Sequence, residues 1–289
     1  MRKKKVTDLK SLVNDAAKKL VTSDAPDVDA YEILKKVTGY SRHDLLIQPD
    51  REVSVVQIEL FSALIEKRAT GYPLQYILGE WDFYGNTFFV TEGVLIPRNE
   101  TEQIADEACQ FLKHKKNKVI FDLCSGSGCI GLSVAANNPD CDVYLFDISP
   151  EALDCSRRNL SKLSLDNVKI FDYDIFHGFE KTGLPSPDVI LSNPPYVTRE
   201  EFMTLQTEIF YEPEKAIVCD GDGLDFYRCI CEKWLPYLKD GGFFMLESGE
   251  EQPAQIVDIM KNSKTFNIDN YNVICCDDIY GVCRFVKGG

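Results

Sequence analysis

The sequence predicts an α/β fold. The expected architecture is a mostly parallel seven-stranded sheet with one antiparallel strand, preceded by a small N-terminal helical bundle and a β-hairpin linker. Three observations carry this reading. From residue 118 onward, short runs rich in Val, Ile and Phe alternate with stretches of helical periodicity, which means parallel strands joined by right-handed crossovers. The last two runs, YNVICC and VCRFV, are only a few residues apart, so they pair as a hairpin and place one antiparallel strand in the sheet. Residues 7–71, in contrast, show apolar residues at helical spacing.

Taken in order, Leu9, Leu12, Val13, Ala16, Ala17 and Leu20 mark a first helix, and Tyr31, Ile33, Leu34 and Val37 a second, with Gly39 as its C-cap. Ser41 with Asp44 reads as a capping box for a short helix. Val55, Val56, Leu60, Phe61, Leu64 and Ile65 mark another, closed at Gly71. WDFYGNTFFV (81–90) has two aromatic runs around Gly-Asn, a β-hairpin pattern, and VLIP (94–97) is a further extended piece. Asn99 is expected to cap a helix reaching about residue 113, with Glu102 at its third position. Strands follow at 118–124, 142–147, 168–174, 188–192 and 243–248, before the closing pair. Helices are expected at 128–137, 150–163, near 199–209 and 224–238, and near 253–261. The domain boundaries are therefore 1–78 for the helical domain, 79–98 for the linker and 99–289 for the sheet domain.

Composition narrows the function. At 289 residues, 44% hydrophobic and 27% charged, the chain has the make-up of a soluble protein with two domains. No apolar run approaches the roughly 20 residues of a membrane span, and the basic MRKKK start leads into an amphipathic helix, not a signal peptide. Eleven cysteines, an odd number without CxxC pairs, match no zinc pattern and read as reduced thiols of a cytoplasmic protein. The three histidines are far apart in sequence, so no metal is assigned. Residues 1–90 are neutral, with 13 basic and 13 acidic side chains, while residues 91–289 carry the entire charge of −14. An acidic sheet domain is a poor grip for a phosphate backbone, so no direct nucleic-acid partner is expected.

Two segments carry chemistry. DLCSGSGCIGLSVA (122–135) follows the first strand of the sheet, where Gly126 and Gly128 allow a tight turn and close approach of a ligand to a helix N-terminus. Asp147 ends the next strand, 21 residues past Gly126, and a carboxylate there suits two ribose hydroxyls. This describes a nucleoside cofactor and leaves NAD open. The second segment is DVILSNPPYV (188–197). Two prolines halt the strand and fix the backbone. The Asn193 side-chain oxygen and the Pro194 carbonyl, held rigid by Pro195, are two acceptors converging on one point, as a planar NH2 group requires. Tyr196 adds a face on which a flat group can stack.

Asn193-Pro194-Pro195-Tyr196 with the DLCSGSG loop resembles the class I S-adenosylmethionine methyltransferases that modify planar amino groups. The helical domain, hairpin, LIPRNETE (95–102), DLCSGSGCIG, SNPPY and the acidic and aromatic tail before Arg284 are similar in order and spacing to the HemK/PrmC family. Two positions depart from the family, which commonly has glycine at Cys124 and proline at Asn99. The resemblance implies a Rossmann-like class I methyltransferase fold and methylation of the amide nitrogen (N5) of the glutamine in the Gly-Gly-Gln loop of class I peptide chain release factors, with S-adenosyl-L-methionine as cofactor. It further implies that Cys124, Ser125, Gly126, Ser127 and Gly128 cradle the methionine end, Asp147 holds the ribose and Ile175 borders the adenine. Asn193 and Pro194 would bind the glutamine amide, with Pro195 rigidifying and Tyr196 packing nearby. Arg98 and Glu102 either order the linker over the site or form a surface ion pair.

A monomer is expected, with the helical domain as the remote recognition surface. Alternatives remain: glutamine methylation of a ribosomal protein, exocyclic-amine methylation of DNA or RNA, an NAD dehydrogenase, which leaves NPPY unexplained, and a catalytically silent binding module.

Overall fold

Helix capping defines the first of two compact units, which comprises residues up to Glu80 together with Gln206–Tyr211. The structure, a computed structural model, describes residues 9–48 and 51–289, so the MRKKK start and residues 7–8 of the expected helical region lie outside the described residues. The unit's helices are α1 (Leu9–Ala17), α2 (Pro26–Thr38), α3 (Arg42–Ile47), α4 (Val55–Ala69) and α5 (Leu74–Leu78). Pro26 starts α2, where its missing N–H costs nothing, and Gly39 ends it in the left-handed region at φ 74°, its N–H donating to the Lys35 carbonyl. Reciprocal capping boxes open α3 (Ser41 with Asp44) and α4 (Ser54 with Gln57). Leu9, Val13, Leu20, Ile33, Leu34, Phe61 and Ile65 are buried, whereas Val55, Val56 and Leu60 of α4 face solvent.

The second unit, Trp81–Leu205 with Glu212–Gly289, begins in a hairpin of β1 (Glu80–Phe83) and β2 (Asn86–Phe89). Tyr84 and Gly85 both have positive φ, 45° and 75°, the geometry of a two-residue turn that matches strand twist. Phe83 and Phe88 meet edge to face at 6.1 Å and join the apolar cluster containing Ile104 and Ala108 of α6 (Glu102–Leu112). The expected linker segment thus contributes Phe83 and Phe88 to the core of this unit.

Next come β3 (Val119–Leu123), α7 (Cys129–Asn137), β4 (Asp142–Asp147), α8 (Pro150–Leu163), β5 (Val168–Asp172) and β6 (Val189–Ser192). The chain ends with α9 (Arg199–Phe202), α10 (Asp225–Lys233), β7 (Phe243–Glu247), α11 (Pro253–Lys261), β8 (Ile274–Asp277) and β9 (Cys283–Gly288). The sheet order is β5-β4-β3-β6-β7-β9-β8, with β9 antiparallel between β7 and β8. Every residue of β3, β6 and β7 is buried, as strands covered on both faces must be. On one face Phe121 packs against Phe146 at 5.1 Å and Trp234 at 6.0 Å; Ile120 belongs to the cluster that includes α6 and α7.

Several element expectations need correction. Asn99 caps no helix, because residues 99–101 form a turn and α6 opens after Thr101, whose αR backbone (φ −63°, ψ −20°) makes no side-chain cap. Glu102 is therefore the first helical residue, and its carboxylate accepts the Tyr84 N–H at 2.8 Å. VLIP forms no strand, since the Ile96 N–H bonds to the Glu212 carboxylate at 2.9 Å. The helix near 199–209 stops at Phe202, where the Thr204 hydroxyl takes the Glu201 carbonyl at 2.7 Å. The helix over 224–238 ends at Lys233, and Pro236 allows only a short 3₁₀ turn at 235–237. The strand 168–174 ends at Asp172.

Arg68 is the electrostatic centre of the first unit. It is 4% exposed and donates to Asp29 at 2.7 Å, to Glu208 at 2.6 Å and to the Tyr72 carbonyl at 3.2 Å. Asp29 is itself buried and accepts the Ser23 hydroxyl at 2.7 Å. Arg68→Ala would strand that carboxylate, so this unit should lose roughly 3–5 kcal/mol of stability. Denaturant unfolding of the full chain checks this, and an unchanged midpoint would deny Arg68 its role.

Candidate functional site

Parallel register sets the site. Leu123 pairs with Phe146 and with Ser192, and Ser192 pairs with Leu246. The next residue of each strand, Cys124, Asp147, Asn193 and Glu247, therefore falls along one carboxyl edge, where parallel sheets bind ligands. A cavity of about 200 Å³ opens there, walled by the glycine loop, Asp147, Ile175, Asn193, Pro195, Thr101 and Arg98.

The loop after β3 turns through left-handed residues at Cys124 (φ 59°), Gly126 (φ 56°) and Gly128 (φ 80°). Cys124 holds this conformation at a steric cost that glycine would avoid. Its thiol is neutral, because burial raises its pKa and the charge of Asp147 adds to the effect. Gly126 has open space where a Cβ would stand, and its N–H donates to Asp147 Oδ2 at 2.8 Å. The other Asp147 oxygen accepts the Ser149 N–H at 2.8 Å. One carboxylate thus ties the glycine loop to the start of α8 and keeps spare lone pairs. Its pKa is raised by burial, with the two backbone donors opposing the shift. Gly131, in α7, lies where a Cβ would come within 3.0 Å of Asp122 Oδ2, and that oxygen accepts the Gly131 N–H at 2.9 Å.

Ile175 is buried, and its carbonyl accepts the Trp234 indole N–H at 2.9 Å. Beside it Phe176 meets Phe226 edge to face at 5.1 Å, so this end of the cavity is aromatic. At the other end the Asn193 amide nitrogen donates to Thr101 Oγ1 at 3.2 Å. With its nitrogen committed, Asn193 has its oxygen left for a ligand. Pro194 and Pro195 are buried, but only Pro195 belongs to the cavity wall. Tyr196 is half-buried and also off the wall; its carbonyl accepts from Gln252 Nε2 at 2.9 Å. Burial, with the Glu247 charge next, pushes its phenol upward, so it remains an O–H.

Arg98 and Glu102 do not pair. Arg98 binds Glu212, a buried carboxylate that also receives the Ile96 N–H, while Glu102 holds the hairpin turn. Sequence reading missed Thr101, Glu212 and Glu247. Thr101 sits within LIPRNETE, and Glu247 ends a buried strand just as Asp147 does, so the second had a usable signal. Glu212 had none, as its partners lie over 110 residues away in sequence.

The resemblance implies S-adenosylmethionine here, and the residues fit such a group. Ser125 Oγ is buried without a hydrogen-bond partner among the described residues, the open side of Gly126 makes a cradle, and Asp147 can accept from hydroxyls.

Asp122 is fully buried, with Oδ1 unpartnered among the described residues, and burial pushes its pKa up to about 7, the Asp147 charge adding to the rise. An acid whose folded pKa exceeds its unfolded value destabilises the fold as it ionises, so its cost grows from about pH 4 to about pH 7. Asp122→Asn keeps an acceptor for Gly131 and cannot ionise. Thermal unfolding should show the variant gaining steadily on wild type from about pH 4 to about pH 7 and no further by about pH 8; a pH-independent difference would contradict the assignment.

Residues 11–79 match the family model described as the PrmC N-terminal domain, and residues 102–224 the methyltransferase small domain. The release factor glutamine methyltransferase of Clostridium botulinum is 33% identical, over 90% of this chain and 90% of the relative. That of Salmonella typhimurium is 30% identical, over 97% of this chain and 98% of the relative. A solved protein-(glutamine-N5) methyltransferase from Alicyclobacillus acidocaldarius is 26% identical, covering 70% of this chain and 98% of that one at a TM-score of 0.43. With such identity along almost the whole length of both relatives, the chain belongs to the release factor glutamine methyltransferase family.

Proposed function

We propose that this protein methylates the side-chain amide nitrogen of the glutamine in the Gly-Gly-Gln motif of peptide chain release factors, using S-adenosyl-L-methionine. The carrying observation is the Asn193 amide, anchored through its nitrogen by Thr101 so that its oxygen is free at a cavity lined by the glycine loop. Family membership supplies the substrate class. Among the described residues no helix is long and apolar enough to cross a membrane.

When bound, S-adenosylmethionine supplies a methyl group already activated on a sulfonium. The chain's own residues then have to bind and align. Asp147 accepts from the ribose hydroxyls while keeping the Gly126 turn in place. Ile175, with Phe176 and Phe226, offers an apolar slot for the adenine. Asn193 Oδ1 and the Pro194 carbonyl take the two hydrogens of the glutamine amide. That fixes the nitrogen in line and favours the positive charge that develops on it. Orientation of this kind supplies on the order of 7–11 kcal/mol. Tyr196 packs beneath the quartet and keeps its backbone in place.

The deciding experiment incubates labelled S-adenosylmethionine separately with a release factor, ribosomal proteins and nucleic acid; label confined to the last two would overturn the proposal. Asn193→Ala should nearly abolish transfer to the release factor and leave a folded, cofactor-binding protein. Asp147→Ala should weaken cofactor binding by roughly 1.5–3 kcal/mol, read by calorimetry. Unaltered turnover in the first or unaltered affinity in the second removes that residue from the site.

A lone glutamine offers little binding energy, so selecting it within a large protein needs remote contacts. The helical unit is the proposed source. Val56 and Leu60, one helical turn apart on α4 and 72% and 49% exposed, give it an apolar face. Replacing both by Asp should lower kcat/KM on intact release factor and leave a short Gly-Gly-Gln peptide unaffected. Equal losses on both substrates would assign recognition elsewhere.

A further inference from the structure

Glu247 is a buried carboxylate that the mechanism above does not use. It is 2% exposed, and its Oε2 has no hydrogen-bond partner among the described residues. A carboxylate placed that deep without full pairing is costly, and only a strong structural or functional return offsets it. Packing alone provides no such return: its backbone carbonyl, not its side chain, receives the Tyr227 hydroxyl at 2.6 Å. Glu247 follows Leu246, the ladder partner of Ser192, and so stands beside Asn193, while the Thr101 hydroxyl that accepts from Asn193 Nδ2 at 3.2 Å also acts on the Glu247 carboxyl and lowers its pKa.

We propose that Thr101 and Glu247 are positioning residues that set the orientation of the Asn193 amide through a directed relay. This rests on the reading that Asn193 binds the substrate amide. Thr101 has one hydroxyl hydrogen. An ionised Glu247 can only accept, so it claims that hydrogen, and Thr101 Oγ1 is left as an acceptor. Thr101 can then receive only the NH2 side of Asn193, which turns Oδ1 toward the cavity. If Glu247 is protonated, its own O–H can donate to Thr101. The Thr101 hydrogen is then free to point at Asn193, and the flipped amide, with NH2 toward the substrate, becomes equally good. A flipped Asn193 presents donors to a group that itself brings only donors.

The surroundings place the ionisation in a useful range. Burial pushes Glu247 up to about 7, with the Thr101 hydrogen bond pulling down and the charge of Glu100 pushing up. Arg98 and Arg284 also face it, but each is committed elsewhere, to Glu212 and to Asp278. Tyr196 from the loop after β6, Tyr227 from α10 and Cys129 from α7 complete the set, all three held neutral by raised pKa values. An acid near 7 is ionised above that pH, so the relay holds in mildly basic solution and fails on acidification.

The test measures kcat and KM for methylation of an intact release factor between pH 6 and pH 9 in full-length wild type, Glu247→Gln, Thr101→Ser and Thr101→Val. Wild-type kcat should fall as pH drops through about 7. Glu247→Gln should lose roughly tenfold or more in kcat at pH 8 and no longer show that acid limb. Thr101→Ser should retain wild-type kcat and limb, Thr101→Val should behave like Glu247→Gln, and cofactor affinity by calorimetry should stay within about twofold throughout, since the relay touches only orientation. An active wild type whose acid limb survives in Glu247→Gln overturns the relay alone, as does a Thr101→Ser variant as impaired as Thr101→Val. A wild type inert on release factor at every pH overturns the substrate reading and the relay with it.

Discussion

The site depends on one constraint, the common register in which β4, β3, β6 and β7 end. Because Leu123, Phe146, Ser192 and Leu246 are neighbours across the ladder, the four residues that follow them form a row. That row is built by backbone hydrogen bonds between strands of which β3, β6 and β7 are wholly buried. A one-residue slip in any strand would reverse its side chains between the two faces and remove its member from the edge. Asp147 then extends the order outward by binding Gly126 and Ser149, and Asn193 does so by binding Thr101. Loop geometry here is inherited from the sheet.

The same row concentrates acids. Asp122 beneath the loop, Asp147 at its rim and Glu247 beside Asn193 all have pKa values raised by burial, and the nearest cations are engaged with other carboxylates. Such an arrangement is unfavourable for an isolated protein, because each ionised acid has lost water without gaining a counter-charge. Under the proposed reading it suits a cofactor that carries a sulfonium: positive charge entering the cavity would favour ionisation of all three. The acidic balance of residues 91–289, which in the sequence argued only against a phosphate backbone, acquires a local purpose at this edge.

How much of this was legible depends on sequence distance. The strands, the glycine loop and the hairpin are local patterns, and a mostly parallel seven-stranded sheet with one antiparallel strand followed from them, whereas the strand order came from the structure. Asp147 was legible because it ends a strand 21 residues after Gly126, a spacing fixed by one crossover. The boundary errors come from tertiary bonds that override local preference. Asn99 is a good cap, but Glu102 is drawn to Tyr84 across 18 residues and the helix starts later. Of the two readings for Arg98 and Glu102, the surface ion pair fails, because the partner of Arg98 is Glu212, 114 residues on. The partition of the Gln206–Tyr211 segment into the first unit was equally hidden, since long-range contacts such as Arg68 with Glu208 and Thr70 with Tyr211 reveal it.

An amide nitrogen is a weak nucleophile because its lone pair is shared with its carbonyl, and a general base does little for it before the methyl arrives. What helps is a fixed pair of acceptors on its hydrogens. A rigid backbone carbonyl meets that need without adjustment, and under the proposed reading Pro194, followed by Pro195, supplies it. A side-chain amide does not, for asparagine is nearly symmetric in shape and its two ends are opposite in function. An enzyme that relies on asparagine as an acceptor must therefore break that symmetry from behind. Thr101 alone cannot do so, because a hydroxyl serves either end equally well. A buried carboxylate behind the hydroxyl can, and its burial ensures that no water offers the hydroxyl an alternative. On this argument the energetic cost of Glu247 and the catalytic value of Asn193 are two aspects of one requirement.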